Sequence, residues 1–208
     1  MTAGVLLLWA ACYVLGSIPF GFLAGRVLAN VDIRAHGSGN IGATNVLRTL
    51  GKGPAAFVLV LDAAKGWVGV WAASSLGMGE GPVAGAAVAA VAGHNWPVFL
   101  GFRGGRGMAT GLGAVIGLSP SAAVLLVLVW LVLVVLTRYV SVGSIAASAL
   151  LPASLAVLGE PAAYIVAGAI IGLWGVWRHR PNIRRLLSGV EHRLGERTGL
   201  GPPSSRAG

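Results

Sequence analysis

Residues 107–138 read GMATGLGAVIGLSPSAAVLLVLVWLVLVVLTR, two apolar runs divided at Ser119 and Pro120 and closed by Arg138. The second run, 120–137, contains no charged side chain and approaches the roughly 20 apolar residues that a membrane-spanning helix needs. The first, 107–118, has 12 residues; at about 1.5 Å each it falls short of a hydrocarbon core about 30 Å thick. Whether this short run crosses decides on which side of a membrane everything after it lies.

Outward from it, residues 5–28, 54–75, 82–100, 141–158 and 161–177 are further apolar stretches of near-spanning length. With 56% hydrophobic and 10% charged residues, the 208-residue chain is too apolar for a soluble domain of its size. No basic residue precedes the first apolar run and no small-residue cleavage site follows it, so an uncleaved span is expected. Cys12 is the single cysteine, which excludes an intrachain disulfide and a cysteine-based metal cluster.

The formal charge of +9 is unevenly placed. The turns at 74–82, 118–121 and 158–161 contain no Lys or Arg but hold Glu80 and Glu160. The alternate connections hold Arg34, Arg48, Lys52, Arg103, Arg106 and Arg138, and the tail from Arg178 carries seven Arg. If 107–118 did not cross, Arg138 and the tail would face away from the other basic loops; counted as a short crossing, it gathers them all on the inner side. The expectation is an all-α integral membrane protein with seven transmembrane helices, the fourth short. Its N-terminus lies outside, its C-terminus in the cytoplasm, and its active site at the cytoplasmic face of a bacterial inner membrane. A single domain over 1–198 is expected, with a disordered tail over 199–208. No internal repeat is evident.

Gly21-x-x-x-Gly25 and Gly168-x-x-x-Gly172 have the small-residue spacing of close helix packing. In the tail, Ile183, Leu186, Leu187, Val190 and Leu194 recur at helical spacing among arginines, predicting an amphipathic helix on anionic lipid.

Two segments carry chemistry. The first is His36-Gly37-Ser38-Gly39-Asn40-Ile41-Gly42-Ala43-Thr44-Asn45-Val46-Leu47-Arg48. It contains G-x-G-x-x-G, with Asp62 twenty residues beyond Gly42, yet no strand precedes it and Asp62 lies within an apolar run, so the dinucleotide reading fails. Its amides, hydroxyls, carboxamides and Arg48 suit an anion joined to a polyol; a plain solvated loop is the alternative. The second is Gly101-Phe102-Arg103-Gly104-Gly105-Arg106-Gly107-Met108-Ala109-Thr110, a glycine-rich turn opening into a helix whose first N–H groups face the turn, an anion-binding arrangement. Arg103 reads equally as an ordinary inner-loop arginine. Within the apolar runs, Asp62 and Lys65 at i and i+3 form either a neutral structural pair or part of the pocket, and His94 reads as a packed histidine as readily as a ligand. Tyr139, Ser141 and Ser144 are candidates to line the same cavity, with helix capping the alternative for the serines. The cavity is expected to have almost no acid besides Asp32 and Asp62 and to take phosphorylated ligands. No carboxylate cluster or histidine spacing supports a metal.

Together these segments resemble the bacterial acyl-phosphate-dependent glycerol-3-phosphate acyltransferases. The resemblance rests on Gly16-Ser17-Ile18-Pro19-Phe20-Gly21, Ser38-Gly39-Asn40, Gly42-Ala43-Thr44-Asn45 with Arg48, and Asp62-Ala63-Ala64-Lys65-Gly66. It continues through Gly93-His94, the glycine turn, Arg138-Tyr139-Val140-Ser141 and His179-Arg180-Pro181-Asn182-Ile183. It implies a seven-span enzyme that acylates the 1-hydroxyl of glycerol 3-phosphate from an acyl phosphate, giving lysophosphatidic acid and phosphate, the first step of phospholipid synthesis. No cofactor or metal is implied. Catalytic roles fall on Ser38, Arg48, His179 and Asn182; substrate binding falls on Gly39, Asn40, Thr44, Asn45, Lys65, Gly104, Gly105, Arg106, Gly107 and Thr110. Arg106 stands where the family usually has Lys, keeping the charge on a longer, planar group. The implied partners are glycerol 3-phosphate, acyl phosphate, membrane lipid and a soluble acyl-phosphate-forming enzyme; nucleic acid is not among them.

Two rivals remain at this stage. A small transporter of phosphorylated solutes is disfavoured by the missing repeat symmetry and by polar residues confined to one face. A thioester-dependent acyltransferase is disfavoured because five residues after the four histidines stand Ile41, Phe99, Arg184 and Arg197, not the Asp of that class's His-x-x-x-x-Asp pair.

Overall fold

The computed structural model describes residues 2–196, so the expected disorder of 199–208 and the end of the 1–198 domain lie outside the described residues. The described residues form ten α-helices and no strand: α1 Ala3–Gly16, α2 Phe20–Ala29, α3 Ala43–Thr49, α4 Lys52–Ser75, α5 Glu80–Asn95, α6 Met108–Leu118, α7 Pro120–Thr137, α8 Val140–Val157, α9 Ala162–Arg178 and α10 Arg180–Leu187. Five helical stretches among them, Ala3–Ala29, Lys52–Ser75, Glu80–Leu100, Pro120–Thr137 and Val140–Val157, are long and apolar enough to cross a membrane; Met108–Leu118 and Ala162–Arg178 are shorter. Val124, Leu128, Leu131, Val132, Val135 and Leu136 of α7 are exposed, an outer surface suited to lipid and not to water.

The first apolar run is broken, with α1 ending at Gly16 and α2 resuming at Phe20. Pro19 lacks an N–H and cannot continue the helical ladder. A carbonyl at such a break inside an apolar bundle needs donors: that of Ile18 accepts from the Phe20 N–H at 3.2 Å and from the Lys65 ammonium at 2.8 Å, which pairs with Asp62 at the same 2.8 Å. One buried cation thus serves both the helix break and the carboxylate.

Small residues let the helices approach. Gly66 of α4 rests on the Thr110 carbonyl of α6 and Gly113 of α6 on the Ala63 carbonyl of α4, so a Cβ at either would meet backbone. The expected Gly168/Gly172 packing holds, with Gly172 against the Ser148 carbonyl of α8. Gly21 and Gly25 also serve packing, but mainly against Ile41 and Ile33 of the loop that follows α2, with Val46 of the short α3 beside Gly21.

The tail departs from expectation. Its helix stops at Leu187, and Gly189 adopts φ +73°. Residues 188–196 then fold back, where the Leu194 N–H donates to the Arg138 carbonyl at 2.7 Å. Val190 and Leu194 therefore belong to no amphipathic helix; the helical spacing ran on past the glycine that ended it. The fold-back, the 31–45 loop and the 101–107 turn meet at one end of the bundle, around one cavity.

Candidate active site

The cavity measures about 300 Å³. Its polar end is lined by Ser38, Asn40, Thr44, Arg48, Arg106, His179, Asn182 and Glu191, and its apolar end, between α6, α7, α8 and α9, by Leu112, Val115, Leu126, Trp130, Leu151 and Ile171.

Asn45 organises the first loop. Its carboxamide N–H groups donate to the carbonyls of Ile33, His36 and Asn40 at 3.1, 3.1 and 2.8 Å, and its Oδ1 accepts from the Ser38 N–H at 2.8 Å. With both ends of the amide engaged, Asn45 shapes the loop and offers a ligand little hydrogen-bonding capacity. Asn40 Oδ1 similarly accepts from the Gly42 N–H at 2.8 Å. Gly39 supplies a left-handed turn at φ +69° and does not line the cavity. The loop and α3 deliver Ser38, Thr44 and Arg48 to the cavity wall.

The glycine turn divides in two. Gly104 packs on the His94 and Asn95 carbonyls and Gly105 on the His94 imidazole, and neither lines the cavity. Arg106 and Gly107 do line it, with Gly107 at φ +75° immediately before α6. Thr110 is fully buried away from the cavity, on the face of α6 that meets Gly66.

In the His179–Asn182 stretch, which the resemblance implicated, the His179 Nδ1 lies 2.7 Å from the Gly175 carbonyl. A carbonyl can only accept, so Nδ1 carries the proton and Nε2 keeps its lone pair. Asn182 donates Nδ2–H to Glu191 at 2.6 Å, while its Oδ1 is buried without a partner. Glu191 also accepts from Arg185 Nε at 2.7 Å.

Lys65 does not line the cavity, whereas Asp62 and His94 do. Lys65 is occupied by Asp62 and the Ile18 carbonyl, and His94 Nδ1 stands 3.6 Å from Asp62 Oδ1, beyond a hydrogen bond. The expected Ser141 and Ser144 both line the cavity, as does Ser148; Tyr139 lies outside it, against Arg193.

Arg48 and Arg106 are in no ion pair among the described residues. Burial, reinforced by Arg185 and Arg48, pulls Arg106 down to about 10, and burial also lowers Arg48. Both remain charged near neutrality and repel each other in a half-enclosed space, which favours an anion. Burial, with the Arg106 charge, holds His179 down at about 4, so its imidazole is neutral. Burial pushes the Glu191 carboxyl up, but the hydrogen bonds from Asn182 and Arg185 outweigh it and hold it below the usual range. The expected acid Asp32 is elsewhere, closed onto Arg34 at 2.7 Å. Glu191 is the residue that sequence reasoning missed. It fell within the supposed amphipathic helix, and its one signal was a carboxylate among seven arginines just after Gly189. Among the described residues, no group of three or more His, Cys, Asp or Glu could hold a metal ion.

This arrangement has relatives. The chain is 48% identical over 193 residues to the glycerol-3-phosphate acyltransferase of Gloeobacter violaceus, covering 91% of this chain and 94% of that protein. It is 47% identical over 185 residues to that of Desulforamulus reducens, covering 89% and 92%. Among solved structures it is similar to PlsY (YgiH), an integral membrane glycerol 3-phosphate acyltransferase. The glycerol 3-phosphate form matches with a TM-score of 0.88 at 43% identity, over 93% of this chain and 96% of that one. The lysophosphatidic acid form matches with a TM-score of 0.86 at the same identity, over 93% and 97%. Residues 6–189 match the family model for glycerol-3-phosphate acyltransferase, and the chain belongs to that family of integral membrane acyltransferases of phospholipid synthesis.

Proposed function

We propose that the protein transfers a fatty acyl group from an acyl phosphate to the 1-hydroxyl of glycerol 3-phosphate, giving 1-acyl-glycerol 3-phosphate and inorganic phosphate, the first step of bacterial phospholipid synthesis. One observation carries this reading: unpaired Arg48 and Arg106 share a cavity with two free acceptors, His179 Nε2 and Asn182 Oδ1, and that cavity runs on into an apolar end. Cations fit two phosphates, acceptors fit the hydroxyls of a polyol, and the apolar end fits a hydrocarbon chain.

In this reading Ser38, Arg48, Asn40 and Thr44 hold glycerol 3-phosphate. Arg106, Gly107 and the free N–H groups opening α6 hold the acyl phosphate. The 1-hydroxyl oxygen attacks the acyl carbonyl carbon, the carbon–oxygen bond to phosphate breaks, and phosphate departs with the electron pair. An acyl phosphate is a mixed anhydride with a good leaving group, so no covalent enzyme intermediate is needed. Positioning and oxyanion stabilisation supply the rate. At about 4, His179 is a weaker base than a phosphate oxygen whose second pKa is about 6. The hydroxyl proton therefore goes to phosphate, while His179 and Asn182 accept hydrogen bonds that aim the glycerol.

The same proposal includes seven crossings, with α6 the short fourth, the N-terminus outside and the cavity facing the cytoplasm of the inner membrane. A soluble acyl-phosphate-forming enzyme would deliver the donor there. In a Cys12→Ser background, a cysteine at position 78 should react with impermeant maleimide from outside and one at 103 only from inside; reaction from the same side rejects this topology.

The deciding experiment supplies purified protein with glycerol 3-phosphate and either palmitoyl phosphate or palmitoyl-coenzyme A. Lysophosphatidic acid is expected from palmitoyl phosphate. Product from the thioester alone, or from neither donor, rejects the proposal.

A further inference from the structure

α5 has 16 residues, Glu80–Asn95, and at about 1.5 Å each it reaches ~24 Å, short of a hydrocarbon core about 30 Å thick. Tilt only shortens that reach. Glu80 opens the helix, and a carboxylate belongs at or beyond the edge of the hydrocarbon. The Asn95 end therefore stops about 6 Å inside the opposite edge, and the residues that follow it lie within the bilayer before they reach water.

Non-helical backbone at that depth must be satisfied within the protein. Residues 97–103 do this themselves. The Leu100 and Phe102 N–H groups both donate to the Pro97 carbonyl, at 3.1 and 2.9 Å, that of Gly101 donates to Val98 at 3.4 Å and that of Arg103 to Leu100 at 3.3 Å. Pro97 has no N–H to place. The turn closes because Gly101 and Phe102 are both left-handed, at φ +58° and +63°. Glycine adopts that conformation freely, whereas a bulky side chain there is strained. Yet the Phe102 ring lies largely outside the core: it is 58% exposed, as is Phe99, and Val98 is 44% exposed. Three large apolar side chains thus point outward from a turn whose polar backbone is closed on itself, the reverse of a loop built to face water. Arg103, exposed and in no ion pair among the described residues, ends the turn. On the neighbouring α9, the exposed Trp177 lies 6.1 Å from Trp96 and beneath the Arg180 guanidinium at 5.4 Å, the aromatic and basic pairing found at membrane interfaces.

We propose that the 97–103 turn is a bilayer-docking wedge: Val98, Phe99 and Phe102 sit among the lipid chains at the edge of the hydrocarbon, and Arg103 meets the headgroup phosphates above them. This rests on α5 crossing the membrane, part of the topology proposed above. The partner is lipid and not a soluble protein, because the length of α5 fixes the depth of the apolar side chains and an unpaired arginine follows them directly. Arg106 and Gly107 line the cavity a few residues on, so the wedge holds that wall of the site below the headgroups, at the level of lipid-borne acyl chains.

The test is nitroxide labelling of the full-length protein in a Cys12→Ser background, reconstituted in vesicles of phosphatidylcholine and phosphatidylglycerol, with Phe99→Cys and Phe102→Cys at the wedge. Leu128→Cys, on the exposed face of α7, is the lipid reference, and Gly79→Cys, in open space before α5, is the water reference. Collisions with oxygen, which partitions into lipid, are compared with those of a water-soluble nickel chelate. The oxygen-to-chelate ratio at 99 and 102 should stand several-fold above that at 79 and approach that at 128. Ratios at 99 and 102 equal to that at 79 overturn the proposal and leave the patch to a soluble partner. If Phe102→Cys does not accumulate, Phe99→Cys with Val98→Cys decides. A water-like ratio at 128 as well overturns the membrane topology, and this proposal with it; a lipid-like ratio at 128 beside water-like ratios at 99 and 102 overturns this proposal alone.

Discussion

Asn182 donates a side-chain N–H to the Glu191 carboxylate at 2.6 Å, and this contact determines which end of the Asn182 amide the cavity receives. A carboxylate only accepts, so the amide nitrogen must face Glu191, leaving Oδ1 buried and unpartnered. A residue four positions beyond the tail helix thus makes Asn182 an acceptor.

Replacing Glu191 by Ala releases that amide and unpairs Arg185. The expected result is a fall in kcat/KM for glycerol 3-phosphate of about 10- to 100-fold, the scale of a lost charge-assisted hydrogen bond. Glu191→Gln keeps an oxygen for Asn182 and should lose less. Equal activity in all three proteins, measured as product from saturating acyl phosphate, would remove Glu191 from the site.

Arg106 should tolerate Lys but not Met. The charge faces a phosphate in our reading, so Arg106→Met is expected to lose roughly 10- to 150-fold in kcat/KM for the acyl donor. Arg106→Lys gives up only the planar fork and should remain within about tenfold of wild type. Saturation curves in palmitoyl phosphate at fixed glycerol 3-phosphate distinguish the two outcomes.

Asp62 and Lys65 are both almost fully buried and 2.8 Å apart. Asp62→Asn strands the ammonium and is expected to cost about 3–5 kcal/mol. The double variant Asp62→Asn with Lys65→Met removes the stranded charge and should recover part of that loss, although the Ile18 carbonyl then keeps only the Phe20 N–H as donor. Thermal unfolding midpoints in detergent test this; a double variant less stable than Asp62→Asn would contradict it.

His179 titrates at about 4 in the folded protein, against 6.5 ordinarily, because burial and the Arg106 charge oppose its protonation. Between these values the unfolded chain binds the proton and the folded one does not, so stability rises with pH across the window and is lost as pH falls through it. The full contribution is about 3 kcal/mol. Unfolding midpoints from pH 7 to pH 4 should therefore drop more steeply for wild type than for His179→Asn, and identical slopes would refute the assignment.

The chain's membrane character, its helices and the resemblance that placed it in its family were legible locally, because the length of an apolar run and the side of each charge are properties of contiguous sequence. Ser38, Arg48 and Arg106 could be named from the residues of their loops, His179 and Asn182 only through the resemblance, and all five line one cavity. The transporter reading fell with family membership. What each side chain touches was decided only by tertiary structure. Lys65 was expected at the substrate and serves a broken helix, since only packing shows that the Ile18 carbonyl lies within its reach. Asn45 was expected to bind substrate; it does line the cavity, but its amide also holds its own loop, meeting three carbonyls that the sequence does not bring together. Gly104 and Gly105 read as anion ligands, yet their missing Cβ atoms make room for the end of α5. Glu191 reached the cavity through a fold-back that a helical hydrophobic period could not reveal. A period reports which residues share a face; it does not report where the helix ends or what that face will meet.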